Sequence, residues 1–128
     1  MPLPETGRPF AVLVVEDEAI LRLHALDIVE EAGFTAIEAR NADEAIAILE
    51  NRSDIALLFT DVNMPGSMDG LKLAHAVRNR WPPIKIVVVS GRVQLDQNAL
   101  PSDSRFFGKP FEAQKMIGQL RDLIANQA

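Results

Sequence analysis

Four apolar runs in this 128-residue sequence lead into side chains able to do chemistry. "FAVLVV" (10–15) runs into Glu16-Asp17, "IALLFT" (55–60) into Asp61, "IKIVVVS" (84–90) closes on Ser90, and "RFF" (105–107) is soon followed by Lys109. An acid after a strand is ordinarily a turn residue or a helix cap. Several on one sheet edge argue for more, because ligands of open parallel sheets bind beyond the carboxyl ends of the strands. Glu16, Asp17 and Asp61 would crowd three negative charges into one crevice. At about 4 Å and an effective dielectric near 20, each like-charged pair costs roughly 4 kcal/mol. A marginally stable domain does not carry that uncompensated. Lys109 supplies one positive charge and a divalent cation with oxygen ligands supplies two more, which brings the formal sum to zero. With no cysteine in the chain and His24 and His75 both mid-helix, Mg²⁺ is the expected ion. A carboxylate is also a nucleophile toward phosphorus, and a metal ion with a lysine stabilises the charge on the transferring oxygens. A phosphoryl group on Asp61 would add about one negative charge and draw the Ser90 hydroxyl and Lys109 ammonium toward it.

The elements that must position these groups alternate. The runs at 10–15, 55–60 and 84–90 are the continuous β-branched type expected of strands covered on both faces, with weaker strands at 34–39 and 105–107. Between them lie amphipathic stretches at 18–33, 41–51, 69–80 and 112–127. The first of these carries Ile20, Leu23 and Ile28 at helical spacing and stops at Gly33, a C-cap residue. Asn41 or Asp43 caps the second and Asp69 the third, which "WPP" (81–83) ends. Met116, Leu120 and Leu123 mark the inner face of the last. Residues 91–104 are polar, contain Pro101, and support at most a short helix. Five strands alternating with helices predict an α/β fold. The expected form is a doubly wound five-stranded parallel sheet in a three-layer αβα sandwich. The expectation is one domain over 1–128, with a core at about 9–126.

Composition narrows the classes. A net charge of −5 and a pI of about 5.0 argue against a nucleic-acid surface. The longest apolar run, Phe10–Val15, is far too short for a membrane span and has the wrong flanks for a signal peptide. With zero cysteines, thiol nucleophiles and zinc-thiolate sites are excluded. A cytoplasmic protein is expected, with neither nucleic acid nor membrane among its partners.

The acidic pair in "VVEDE", the run "DVNMP", the hydroxyl in "VVSG" and "KPF" resemble, in order and spacing, a response-regulator receiver domain of two-component signalling. The resemblance implies the flavodoxin-like receiver fold and a phosphorelay function. Asp61 would be the phosphoacceptor, loaded from a phosphohistidine on a sensor histidine kinase. Asp17 would bind Mg²⁺ directly, Glu16 would be its acidic companion, and Asn63 would offer its main-chain carbonyl. Ser90 would be the switch hydroxyl, Lys109 the phosphate-binding lysine and Pro110 a cis-proline. Phe106 would be the switch aromatic, although sequence alone does not separate it from Phe107. The loop "MPGSMDG" is a residue longer than the family's usual form. The 19-residue interval from Ser90 to Lys109 is a few residues short, so a shortened fourth helix is expected. These features resemble a group of stand-alone, single-domain receivers in alphaproteobacteria, which switch a protein–protein surface for a downstream partner and are not enzymes with an external product.

Three other readings compete with that one. A shuttle relaying phosphoryl groups between histidine-bearing proteins would use the same residues. An aspartate-nucleophile phosphatase of the haloacid-dehalogenase type would want a second acid two residues after Asp61, where this chain has Asn63. A flavodoxin-like FMN carrier would want a Ser/Thr/Gly phosphate loop in place of Glu16-Asp17-Glu18. His24 and His75 are expected to be structural and away from the acidic edge, Trp81 to be a packing anchor, and Arg92 to flank the mouth of the crevice.

Overall fold

The structure, a computed structural model, describes residues 10–64, 66, 68–91 and 97–125. Five strands form one sheet: β1 (Ala11–Val15), β2 (Thr35–Ala39), β3 (Ile55–Asp61), β4 (Lys85–Ser90) and β5 (Ser104–Gly108). All pairings are parallel and the order is β2-β1-β3-β4-β5. The first and third strands are therefore neighbours, and the chain reverses its winding direction between them. That reversal point is where an open α/β sheet opens a crevice.

Among the described residues, four α-helices cover the sheet: α1 (Ala19–Glu31), α2 (Ala42–Asn51), α3 (Gly70–Arg80) and α4 (Ala113–Ala125). Strand side chains alternate between the two layers. Leu13, Val15, Leu58, Ile86 and Val88 pack with Leu49 of α2 and with Leu73 and Val77 of α3. Val12, Val14, Leu57, Phe59, Val87 and Val89 pack with Ile28 and Val29 of α1 and with Met116 and Leu120 of α4. Every residue of β1 and β3 is buried, which explains why both read as unbroken apolar runs.

The helix ends follow their caps. The Asn41 side chain accepts from Glu44 N–H and Asp69 accepts from Lys72 N–H, each at 2.9 Å. Gly33, at φ +102°, closes α1 with its N–H on the Glu30 carbonyl, while Phe34 N–H reaches the Val29 carbonyl. That pair of bonds is a Schellman motif.

One expected face is corrected. Ile20 and Leu23 are 78% and 61% exposed, and the buried side of α1 is Ala25, Ile28, Val29 and Ala32. At about 100° per residue, Leu23 lies roughly 200° round the helix from Ala25 and points away from the sheet.

Between β4 and β5, the only helical turn among the described residues is the 3₁₀ turn Gln97–Ala99. Residues 92–96, including Arg92, lie outside the described residues. The described part of this connection lies on α3. His75 Nε2 is 2.8 Å from the Ala99 carbonyl. Arg78 donates to the carbonyls of Ser102, Asp103, Pro82 and Ile84, tying the connection to the turn after α3. Trp81 caps that turn, packs on the core, and carries the Arg80 guanidinium 4.4 Å above its ring. No helix among the described residues is long and apolar enough to cross a membrane.

Candidate functional site

The C-terminal edge of the sheet opens into a cleft of about 670 Å³ lined by Glu16, Asp17, Asp61, Asn63, Asp69 and Lys109, among others. They arrive on separate pieces of backbone, one from the end of each of several strands. Glu16 and Asp17 follow β1, whose pairing is extended by the Glu16 N–H on the Ala39 carbonyl. Asp61 is the last residue of β3. Val62 N–H continues the ladder to the Val89 carbonyl, and Lys109 N–H does the same to the Ser90 carbonyl. The cleft floor is thus a continuation of the sheet.

Glu16, Asp17 and Asp61 each present a carboxylate oxygen within 4.8 Å of the others. Glu16 and Asp61 are 6% exposed and Asp17 is exposed. Lys109 Nζ stands between two of them, 3.0 Å from Asp61 Oδ1 and 3.1 Å from Glu16 Oε1. Burial pushes the Glu16 carboxyl above its ordinary value and the Asp61 charge adds to this, while the Glu18 N–H and Lys109 pull against it. Burial also works against the Lys109 charge, but the hydrogen bonds and charges of Asp61 and Glu16 outweigh it and hold the ammonium above its ordinary value. One lysine thus faces three carboxylates. The donor set, all oxygen and in net negative excess, fits a hard divalent cation of the magnesium type.

Ser90 is buried at the end of β4, and the Asn63 side-chain amide donates to its hydroxyl at 3.5 Å. The Lys109–Pro110 peptide is cis. The register of β5 separates the two phenylalanines: Phe106 pairs with Val88 and packs in the α2/α3 layer, whereas Phe107 packs in the α1/α4 layer. Ser90 shares the parity of Val88, so Phe106 is on the Ser90 side of the sheet.

Three features were not read from sequence. His24 is not remote from the acids. It stacks on Phe111 at 6.3 Å and lines a recess of about 270 Å³ that Glu16 and Lys109 also border. Gly70 begins α3 so close to β3 that a Cβ there would stand 1.7 Å from the Asp61 carbonyl oxygen. Its N–H donates to the Val62 carbonyl. A glycine directly after a capping acid was the available signal for such a close approach. Arg22, in the first turns of α1, donates to the Glu16 and Asp17 carbonyls.

Comparison with known proteins agrees with this arrangement. The family model "Response regulator receiver domain" matches residues 12–121. The sensor kinase CckA of Brucella abortus is 33% identical over 121 residues, which are 91% of this chain and 13% of that protein. The chain therefore spans a small part of the length of this curated relative. The receiver protein of Sinorhizobium medicae superposes with a TM-score of 0.87 at 27% identity, covering 94% of this chain and 98% of that one. TrrA of Thermotoga maritima, solved with Mg²⁺ and BeF, superposes with a TM-score of 0.76 at 24% identity, over 89% of this chain and 98% of that one. A family match across 110 residues, on a sheet that gathers its acids and its lysine at one edge, places the chain among the response regulator receiver domains, signalling modules rather than enzymes with an external substrate.

Proposed function

We propose that residues 1–128 form one receiver unit, with a core at about 9–126, that accepts a phosphoryl group on Asp61 from a phosphohistidine of a sensor histidine kinase in the cytoplasm. The observation that carries this reading is the Lys109 ammonium held 3.0 Å from Asp61 Oδ1, in a cleft that Glu16, Asp17, Glu18 and Asp69 also line. In the transfer, an Asp61 carboxylate oxygen forms the new O–P bond as the N–P bond of the phosphohistidine breaks. The imidazole leaves with the electron pair. Glu16, Asp17, Asp61 and the Asn63 main-chain carbonyl would hold Mg²⁺. When bound, the ion neutralises charge on the phosphoryl oxygens.

Lys109 already sits at hydrogen-bonding distance from the acceptor, so it needs only to exchange a carboxylate oxygen for a phosphoryl oxygen. Ser90, buried at the end of the neighbouring strand, supplies a hydroxyl that such a group would recruit. Its movement would free space on the α2/α3 side of the sheet, where Phe106 packs, and so alter a surface read by a downstream protein partner. Intact-mass analysis after exposure to a small phosphodonor with Mg²⁺ tests the assignment. One phosphoryl adduct is expected on the wild type and none on Asp61→Asn. A wild type that gains no adduct sinks the reading.

A further inference from the structure

We propose that Arg22 is a positioning residue of the acidic cleft, holding the turn after β1 so that Glu16 and Asp17 present their carboxylates together to a divalent cation. The inference rests on the reading of the cleft just given and adds a residue to it.

The geometry is specific. Arg22 Nη1 donates to the Glu16 carbonyl at 2.9 Å and to the Asp17 carbonyl at 3.4 Å. Its Nε donates to Glu38 Oε1 at 2.9 Å, which gives the guanidinium a second anchor in β2. The Arg22 side chain is only 14% exposed, against 58% for Glu38. One planar fork thus spans three segments: the turn that carries the acids, the helix that follows it, and the neighbouring strand.

A carboxylate is only as well placed as its own backbone. The Glu16 side chain is pinned by Lys109 and by the Glu18 N–H, whereas the carbonyls of Glu16 and Asp17 are held by Arg22. Groups that orient metal ligands from outside commonly change metal affinity by about 10–100-fold when removed. Arg22 would do this through the main chain of two successive ligands.

Charge and position predict opposite results here. If Arg22 acted only through its charge, removing it would relieve repulsion toward an incoming cation, and Mg²⁺ would bind more tightly. If it positions the turn, removing it weakens binding. Lysine keeps the charge but cannot fork to two carbonyls and Glu38 at once.

Calorimetric titration of Mg²⁺ into the wild type, Arg22→Gln and Arg22→Lys separates these cases. The titrations are run well below each protein's melting temperature, which is recorded independently. Both variants are expected to bind about tenfold more weakly. Unchanged or tighter binding by Arg22→Gln, or wild-type affinity in Arg22→Lys, overturns the proposal while leaving the cleft assignment intact. The lysine variant decides the matter alone should the glutamine variant fail to fold. A wild type that binds no Mg²⁺ overturns the cleft assignment itself, and this inference with it.

Discussion

The two ends of the sheet handle charge in opposite ways. At the N-terminal ends of β3 and β4, acids and bases meet one to one: Arg80 with Glu50 at 2.8 Å and Arg52 with Asp54 at 2.7 Å, all at least a third exposed. At the C-terminal ends, Lys109 meets both Glu16 and Asp61 with Asp17 close by, and the two paired carboxylates are less than a tenth exposed. Exposed matched pairs gain little and cost little. Buried unmatched ones are held at a cost to stability, which a fold tolerates only where something else is to be bound. The imbalance, more than the acidity, distinguishes the working end.

The sharpest way to break this contrast is at Gly70. A methyl group placed 1.7 Å from the Asp61 carbonyl must push α3 or β3 aside. Gly70→Ala should therefore destabilise by about 3 kcal/mol, read as a shift in denaturant midpoint. A near-neutral result would mean that the working end is looser than its geometry implies. Asp17→Asn comes next. In chelator it relieves part of the repulsion and should raise stability by about 1 kcal/mol. The wild type should gain melting temperature on adding Mg²⁺, and the variant should gain much less. Thermal melts of both proteins with and without the ion check the sign. A variant that is less stable without Mg²⁺ would show that the acids are not strained. The smallest effect belongs to the other end, where Glu50→Gln should cost less than about 1 kcal/mol and should not alter the Mg²⁺ response. A larger loss would remove the distinction between the two ends.

The site was largely legible in sequence because a parallel sheet puts the residue after each strand at one edge. Finding four runs was therefore enough to bring Glu16, Asp17, Asp61, Ser90 and Lys109 together. Which layer Phe106 and Phe107 each enter needed the register of β5, since adjacent residues differ only in that. The misread face of α1 has a similar origin. Ile20 and Leu23 are as apolar as Ile28, and residue type does not say that this helix leaves them exposed. Arg22 was invisible for another reason. Its partners at the cleft turn are main-chain carbonyls, which every residue has, so no spacing of side chains announces those contacts. For the connection after β4, the sequence did not announce that His75 and Arg78 of α3 would hold its described part through main-chain carbonyls.

The missing methyl of Gly70 has a mechanical meaning. With no room for a methyl group between the Asp61 main chain and the start of α3, a push on the end of the strand toward the helix would meet Gly70 directly. Strain at the cleft has a steric route into α3, and so to the flank where His75 grips the Ala99 carbonyl.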